Sequence, residues 1–468
     1  MALLFGIIGA GNLYATVNDS VQVRTIVISG AKKTKRTVVV RELTFREKDQ
    51  LPVKSLSDIL ERNRQNVFNL GLFSAVEVEP FIVGLELHIV IHVKERWYIF
   101  PIPKVKAEER NSYDLIRSFS QGDFHRVSYG LDLQWYNVTG RNETLTFFGQ
   151  LGFSKRLRFR YSHPGIFGMQ YTDLAFGASF INKNEIITRT EGSQALWDRL
   201  ESTPLETSQS VFLQVKHRFS IYKNLVVSLD HSWKNFEDSL NVFNQQYLPG
   251  DELRTSYPAI VLAYSHDTRD WHSFPLKGRR YRLLFRHAGI PGVSTHQFSK
   301  IGFTWAEHIP LSKRWNVSYG LQNVLTLGKE IPYFEKSSIG LGGKDLPGIS
   351  TELRGYERYA IDGSWVGMAK GELKFALVPY QTINLKMIPI KMFQQMPFGA
   401  YLSSYADFGY VEDRTTSNFD NTLKGQGLFG YGLGINFIGF YDMMLRIEYS
   451  RNHLGEDGIY FHSSLPIR

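Results

Sequence analysis

Val127-Ser128-Tyr129-Gly130-Leu131-Asp132-Leu133-Gln134-Trp135 alternates, residue by residue, between apolar or aromatic side chains and small or polar ones. Successive side chains of a strand point to opposite faces, so the run sorts into an apolar face and a polar one. The pattern spreads outward through the chain. Leu145, Phe147, Gly149, Leu151 and Phe153 alternate with Thr144, Thr146, Phe148 and Gln150, and Val211, Leu213, Val215 and Phe219 with Gln214, Lys216 and Arg218. Tyr281, Leu283 and Phe285 alternate with Arg280, Arg282 and Arg286; Trp315, Val317, Tyr319 and Leu321 with Asn316, Ser318, Gly320 and Gln322; Met443, Leu445, Ile447 and Tyr449 with Arg446, Glu448 and Ser450. A soluble sheet turns its apolar face to a second layer. Long alternating runs with aromatics near their ends instead suit strands that face lipid outside and a wet lumen inside. About sixteen such runs lie between Arg126 and Arg468, an even number as in bacterial outer-membrane barrels.

Composition agrees. Aromatics are 14% of the 468 residues and Gly contributes 40, while mean hydropathy is only -0.22. No stretch approaches the ~18–20 apolar residues of a spanning helix, so a membrane crossing here is made by strands. The formal charge is +9, with the basic residues dispersed rather than clustered, which argues against a nucleic-acid footprint. There is no cysteine, hence neither disulfide nor thiolate metal site. Met1 to about Ala15 reads as a secretory signal, an apolar run followed by Leu13-Tyr14-Ala15, although no Lys or Arg precedes the run.

Residues 21–96 read as a small α+β unit, β-α-α-β-β. Val21–Ser29 alternates as a strand, and Thr34–Leu43 suits a short helix. Leu56, Ile59, Leu60, Asn63, Val67 and Leu70 then recur at helical spacing. Ser55 with Asp58 predicts a capping box, and Gly71 a helix end. Ala75–Glu79 and Leu85–Val93 alternate as two more strands. Pro101 and Pro103 mark 97–125 as a linker, which leaves 126–468 for the barrel.

A long non-periodic segment runs from Gly340 to Leu353-Arg354-Gly355-Tyr356, between strands. In the following run Trp365, Gly367, Ala369, Leu373 and Phe375 share one face, which puts Lys370, Glu372 and Lys374 on the lumenal side. In the next, Phe398, Ala400, Leu402, Ala406 and Phe408 face lipid, and Tyr401, Ser403, Tyr405 and Asp407 the lumen. If the loop folds inward, Arg354 has two carboxylates in prospect, Glu372 and Asp407, and its guanidinium can bind such groups bidentately. On spacing alone, solvated lumenal charges suit the pattern better than a salt bridge does.

Catalytic and cofactor motifs are missing from the sequence. Gly340-Leu341-Gly342-Gly343-Lys344 fails as a phosphate loop, since Ser338 and Asp345 occupy positions that the pattern reserves for other residues. The 13 histidines show no ligand spacing, and Gly430, Gly432 and Gly434 suit close packing better than a nucleotide cradle. No enzyme, metal or cofactor reading follows.

The order of elements in 21–96, with the Asn69-Leu70-Gly71-Leu72-Phe73-Ser74 corner and Val76-x-Val78, resembles a polypeptide-transport-associated (POTRA) domain. Leu353-Arg354-Gly355-Tyr356 resembles the arginine loop signature of the BamA/TamA superfamily, and the segments holding Glu372 and Asp407 resemble that family's two following strand motifs. Asp267-Thr268-Arg269-Asp270, then Pro275 and Gly278, is similar to its mid-barrel motif. Asn137-Val138-Thr139-Gly140 and His163-Pro164-Gly165-Ile166-Phe167-Gly168 are similar to two of its hairpins. The resemblance implies a barrel in the bacterial outer membrane with one periplasmic POTRA domain. By that resemblance the loop arginine packs against Glu372 and Asp407. The implied activity is insertion of proteins into the outer membrane, or their translocation across it. The POTRA domain would capture the client by strand addition, and a seam between the first strand (126–137) and the last (458–465) would act as a lateral gate. Implied partners are unfolded outer-membrane or secreted clients, outer-membrane lipids and accessory subunits, with no nucleic acid and no cofactor. A dedicated two-partner secretion pore and a passive channel are the rival readings. One POTRA unit, where the main bacterial assembly protein has several, puts the usual accessory lipoproteins in doubt.

Overall fold

The computed structural model describes residues 19–464 except 108–126, 167–168, 170, 201–202, 245–246, 249, 251, 330, 341–345, 385–394, 415–420 and 440–442. The expected signal, Met1–Ala15, lies outside the described residues. In the amino-terminal domain, β1 (Ser20–Ser29), α1 (Arg36–Val40), β2 (Gln50–Pro52), α2 (Leu56–Phe68), β3 (Phe73–Val83) and β4 (Glu86–Glu95) follow in order. The sheet order is β2-β1-β4-β3, with β1 and β4 parallel and β3 at one edge. The helical stripe of α2 buries Leu56, Leu60, Asn63 and Val67 over Val23, Leu87, Ile89 and Ile91. Asn63 tolerates burial because it is satisfied: it accepts the Thr44 N–H at 2.7 Å and donates to the Ile59 carbonyl at 2.7 Å. Gly71 ends the helix region at φ +67, where a Cβ would be strained. The expected capping box at Ser55 does not form. A 3-10 turn over Val53–Ser55 leads into α2, and the Ser55 side chain makes no cap bond.

The second unit is a sixteen-stranded antiparallel barrel sheet. Its strands are β5 (Ile99–Ala107), β6 (Val127–Tyr136), β7 (Thr144–Gly152), β8 (Ser154–His163), β9 (Thr172–Lys183), β12 (Glu206–Arg218), β13 (Lys223–Phe236), β14 (Arg254–Asp267), β15 (Gly278–Ala288), β16 (Phe298–Pro310), β17 (Trp315–Leu327), β20 (Trp365–Asn384), β21 (Gln395–Glu412), β22 (Gly427–Ile438), β23 (Met444–Asn452) and β24 (Asp457–Ser464). Two hairpins stand outside it: β10 (Glu185–Glu191) with β11 (Gln194–Arg199), and β18 (Ser337–Gly340) with β19 (Ala360–Gly363). The alternation sorts as read. Leu131, Phe147, Leu213, Leu283, Phe408 and Leu445 are exposed on the outer face, whereas Ser128, Gln150, Ser403, Asp407 and Glu448 are buried inside.

The linker over 97–125 is corrected. Ile99–Ala107 is a strand, paired with β6 from Ile99↔Trp135 to Ala107↔Val127; the remainder, 108–125, lies outside the described residues. The prolines misled because Pro ends most central strands, yet it is accepted at a sheet edge, where a missing N–H breaks no ladder bond. The run 126–137, expected to be first, is therefore second, and the sheet reaches sixteen strands because β5 joins it. Among the described residues no ladder joins the two edge strands, β5 and β24.

The POTRA-like domain sits on the turns at its own end of the barrel. Glu42 takes both Arg218 nitrogens, at 2.7 and 2.6 Å. Arg62 donates to the Tyr222 hydroxyl at 3.0 Å and the Thr268 carbonyl at 2.9 Å, and Asn69 to the Asp270 carbonyl at 3.1 Å. In the β6–β7 turn, Gly140 accepts the Lys35 N–H at 2.8 Å. Its φ is +89, and a Cβ there would fall 2.2 Å from the Lys33 carbonyl oxygen. No helix among the described residues is long and apolar enough to cross a membrane.

Candidate lumenal site

The loop between β17 and β20 folds into the barrel. Leu353 and Tyr356 are buried in a cluster with Ile339, Ile361, Met368 and Leu428, which anchors the loop against β20–β22. The Tyr356 hydroxyl meets the imidazole of His453 and accepts the Phe429 N–H at 3.1 Å. Gly355 has φ +88, and its carbonyl accepts from Asn452 at 3.0 Å. Gly430 lets the loop approach: a Cβ there would lie 1.9 Å from the Arg354 carbonyl oxygen. That contact gives the inward glycines of β22 the close-packing role their alternation suggested.

Arg354 is thereby delivered to the lumenal wall. Its Nε and Nη2 donate to the two carboxylate oxygens of Asp407 at 2.7 and 2.6 Å, a bidentate pair, and its guanidinium lies 3.7 Å from the Tyr405 ring centroid. Asp407 is fully buried. Glu372 faces the lumen but does not touch the arginine. It meets Lys374 at 3.7 Å and Arg446 at 3.9 Å. The direct contact expected of Glu372 is therefore corrected: the second carboxylate on Arg354 is Glu448 of β23, at 3.5 Å. Glu448 also meets Arg446 at 3.5 Å and His462 of β24 at 3.3 Å. A chain of charges thus runs from β21 through the loop to the last strand. Period two had put Glu448 on the polar face; sequence alone does not say which lumenal acid lies level with a loop two strands away.

The other motif residues build a turn. Arg269 pairs with both Asp267 oxygens, at 2.9 and 2.6 Å. One Asp270 oxygen accepts the backbone N–H groups of Trp271, Leu276 and Lys277 at 2.9–3.1 Å. Gly278, at φ +101, closes the turn where a Cβ would meet the Thr268 carbonyl at 2.3 Å, and Pro275 lies within it. The turn enters the barrel mouth, with Phe274 buried against Tyr401 (centroids 4.8 Å apart) and beneath Lys374. The lumen is filled from both ends, by the arginine loop and by this turn. Between loop and wall a cavity of about 1010 Å³ is lined by Arg354, Glu357, Glu372, Arg446 and Glu448. The arrangement is a charge-locked plug.

A family model of the Omp85 superfamily domain matches residues 137–439, more than half of the chain, and a POTRA model, a surface antigen variable number repeat, matches 21–96. The chain belongs to the Omp85 superfamily. Its fold is similar to that of BamA from Haemophilus ducreyi lacking POTRA domains 1-3, at 15% identity and a TM-score of 0.52 over 95% of this chain and 84% of that one. CdiB from Escherichia coli is comparable, at 11% identity and a TM-score of 0.53 over 97% and 92%. CdiB from Acinetobacter baumannii follows at 13% and 0.52, over 95% and 74%. No protein of curated function matches the sequence. Omp85 barrels lie in the outer membrane, with POTRA domains in the periplasm, and serve as insertases or transporters rather than enzymes. Omp85 proteins and their POTRA domains bind unfolded client proteins.

Proposed function

We propose that this Omp85 barrel inserts client proteins into the bacterial outer membrane, its POTRA domain receiving them in the periplasm. The observation that carries the reading is the seam: the edge strands β5 and β24 share no ladder among the described residues. β24 therefore presents backbone donors and acceptors, and β5 chiefly acceptors, that a client strand can pair with. On the POTRA side, β3 offers a second free edge with Phe81, Ile82 and Val83 exposed along it, a template for capturing an extended chain. Arg354 and its carboxylates hold the plug against β21 and β23, next to β24, so the loop braces one side of the seam. The test is folding of an unfolded model barrel into liposomes, followed by heat-modifiable gel shift. This protein should accelerate folding over empty lipid, and cysteine pairs joining β5 to β24 should abolish the acceleration under oxidation. Acceleration that survives a closed seam would sink the mechanism.

A dedicated secretion pore is the second reading. One observation favours it: the CdiB folds cover as much of this chain as the BamA fold does. A folded protein that leaves model clients unaccelerated, yet releases one secreted partner from spheroplasts, would establish it.

A further inference from the structure

The inward loop rests on β20–β23 and occupies one side of the lumen; the opposite wall, β7, β8, β9 and β12, carries a different kind of charge. Two rows of lumenal side chains cross it. One row runs Phe148, Arg158, Ser179, Ser210 and the next Thr146, Arg160, Gly177, Phe212. Arg158 lies 5.9 Å from the Phe148 ring centroid and Arg160 lies 5.0 Å from that of Phe212. The second platform is shaped for its ring: a Cβ on Gly177 would come within 2.6 Å of Phe212. Neither arginine has a carboxylate at ion-pair distance among the described residues, whereas the cations at the ends of the same wall do. Lys183 meets Glu206 at 2.7 Å, Lys216 meets Asp173 at 4.0 Å and Arg218 meets Glu42 at 2.6 Å. The acid level with Arg158 is Asp132, two strands away and hydrogen-bonded to Gln134 at 3.0 Å. Across the lumen Arg354, Lys374 and Arg446 are matched by Asp407, Glu372 and Glu448. Among the described residues Arg158 and Arg160 are therefore unmatched by an acid at mid-height on this wall, as is Arg282 of β15, which reaches the Ser265 hydroxyl at 3.3 Å; of the three, Arg158 is exposed to lumenal water.

We infer that the wall of β7, β8, β9 and β12 is an anion lane: Arg158 and Arg160, on their aromatic platforms, bind anionic groups and make the lumen select anions over cations. A guanidinium over an aromatic face keeps its charge and its outward N–H donors. A low-dielectric wall strengthens the attraction of such unmatched cations for anions. The shared chemistry is a small anion or the carboxylate of an acidic polypeptide in the lumen. This goes beyond the insertase reading and does not depend on it.

The test is single-channel recording of the full chain in planar bilayers under a KCl gradient. The reversal potential should lie toward the chloride equilibrium potential, and R158E/R160E should move it toward that of potassium. R158Q/R160Q should remove the preference without reversing it, and heat-modifiable gel shift checks that each variant folds. Oligoglutamate peptide, added to either side, separates the sources. Block of the wild type but not of R158E/R160E means that polypeptide carboxylates enter the lane; selectivity without block means that free anions do. An unselective or cation-selective wild type, a reversal potential unchanged by R158E/R160E, or no resolvable conductance overturns the proposal.

Discussion

At the residue scale the lock is Arg354. Its side chain is 12% exposed and that of Asp407 0%, so removing the arginine strands a carboxylate in a site where water cannot replace the lost partner. Arg354→Ala should destabilise the barrel by about 3–5 kcal/mol, the range for breaking one side of a buried pair. Urea unfolding in detergent micelles reads this out. Arg354→Lys should not restore the loss, because an ammonium cannot bridge both Asp407 oxygens. Gly430→Ala tests the same lock from behind: its Cβ would lie 1.9 Å from backbone, so the loop must leave the wall. Proteolysis at the loop of Gly430→Ala should rise to the level seen in Arg354→Ala, while Gly439→Ala, with open space at its Cβ, should stay protected. Asp407 was legible because period two fixes its face. Glu448 was not, since its contact with Arg354 depends on how deep the loop inserts, which no local pattern encodes.

At the scale of elements, strands and helices followed the sequence wherever one periodicity dominated. α2 came out because its apolar spacing, and Gly71 beyond its end, agree. The Ser55 cap did not, because the preceding 3-10 turn sets the backbone of Ser55 at φ -109, ψ 9, and its side chain makes no cap bond. β5 was missed for a related reason. Its prolines, at 101 and 103, share one edge of the strand, and within a ladder they would remove two donors. Since β5 pairs with β6 along its whole length, the missing donors belong on the seam side. The prolines therefore keep that edge poor in donors. Pro101→Ala/Pro103→Ala should return two donors to the seam and hold β5 and β24 together more firmly. Oxidation of β5–β24 cysteine pairs should then run faster than in the parent, and client folding more slowly; unchanged rates of both would remove the prolines from any role in opening.

For the whole molecule, the question is what holds the POTRA domain across the mouth of the barrel. The polar contacts include several neutral ones, to Gly140, Tyr222, Thr268 and Asp270, but Glu42 with Arg218 is a buried bidentate ion pair, side chains 6% and 13% exposed. Burial pushes the Glu42 carboxyl up, while the Arg218 hydrogen bonds and charge, with Arg41 beside them, outweigh it and hold the group below its ordinary 4.5. A carboxyl depressed in the docked state stabilises docking above its ordinary value, and that contribution is lost as pH falls through the docked one. The domain should therefore be seated at neutral pH and loosen as pH drops below 4.5. The chain has no cysteine, so spin labels on Ser57→Cys and Ser312→Cys report this distance alone. Electron–electron resonance should give one narrow distance at pH 7 that broadens in acid. Glu42→Gln, which keeps the shape and removes the charge, should give the broad distribution already at pH 7. A narrow distance in Glu42→Gln would mean that the neutral contacts alone seat the domain, and the ion pair would then be a consequence of docking rather than its cause.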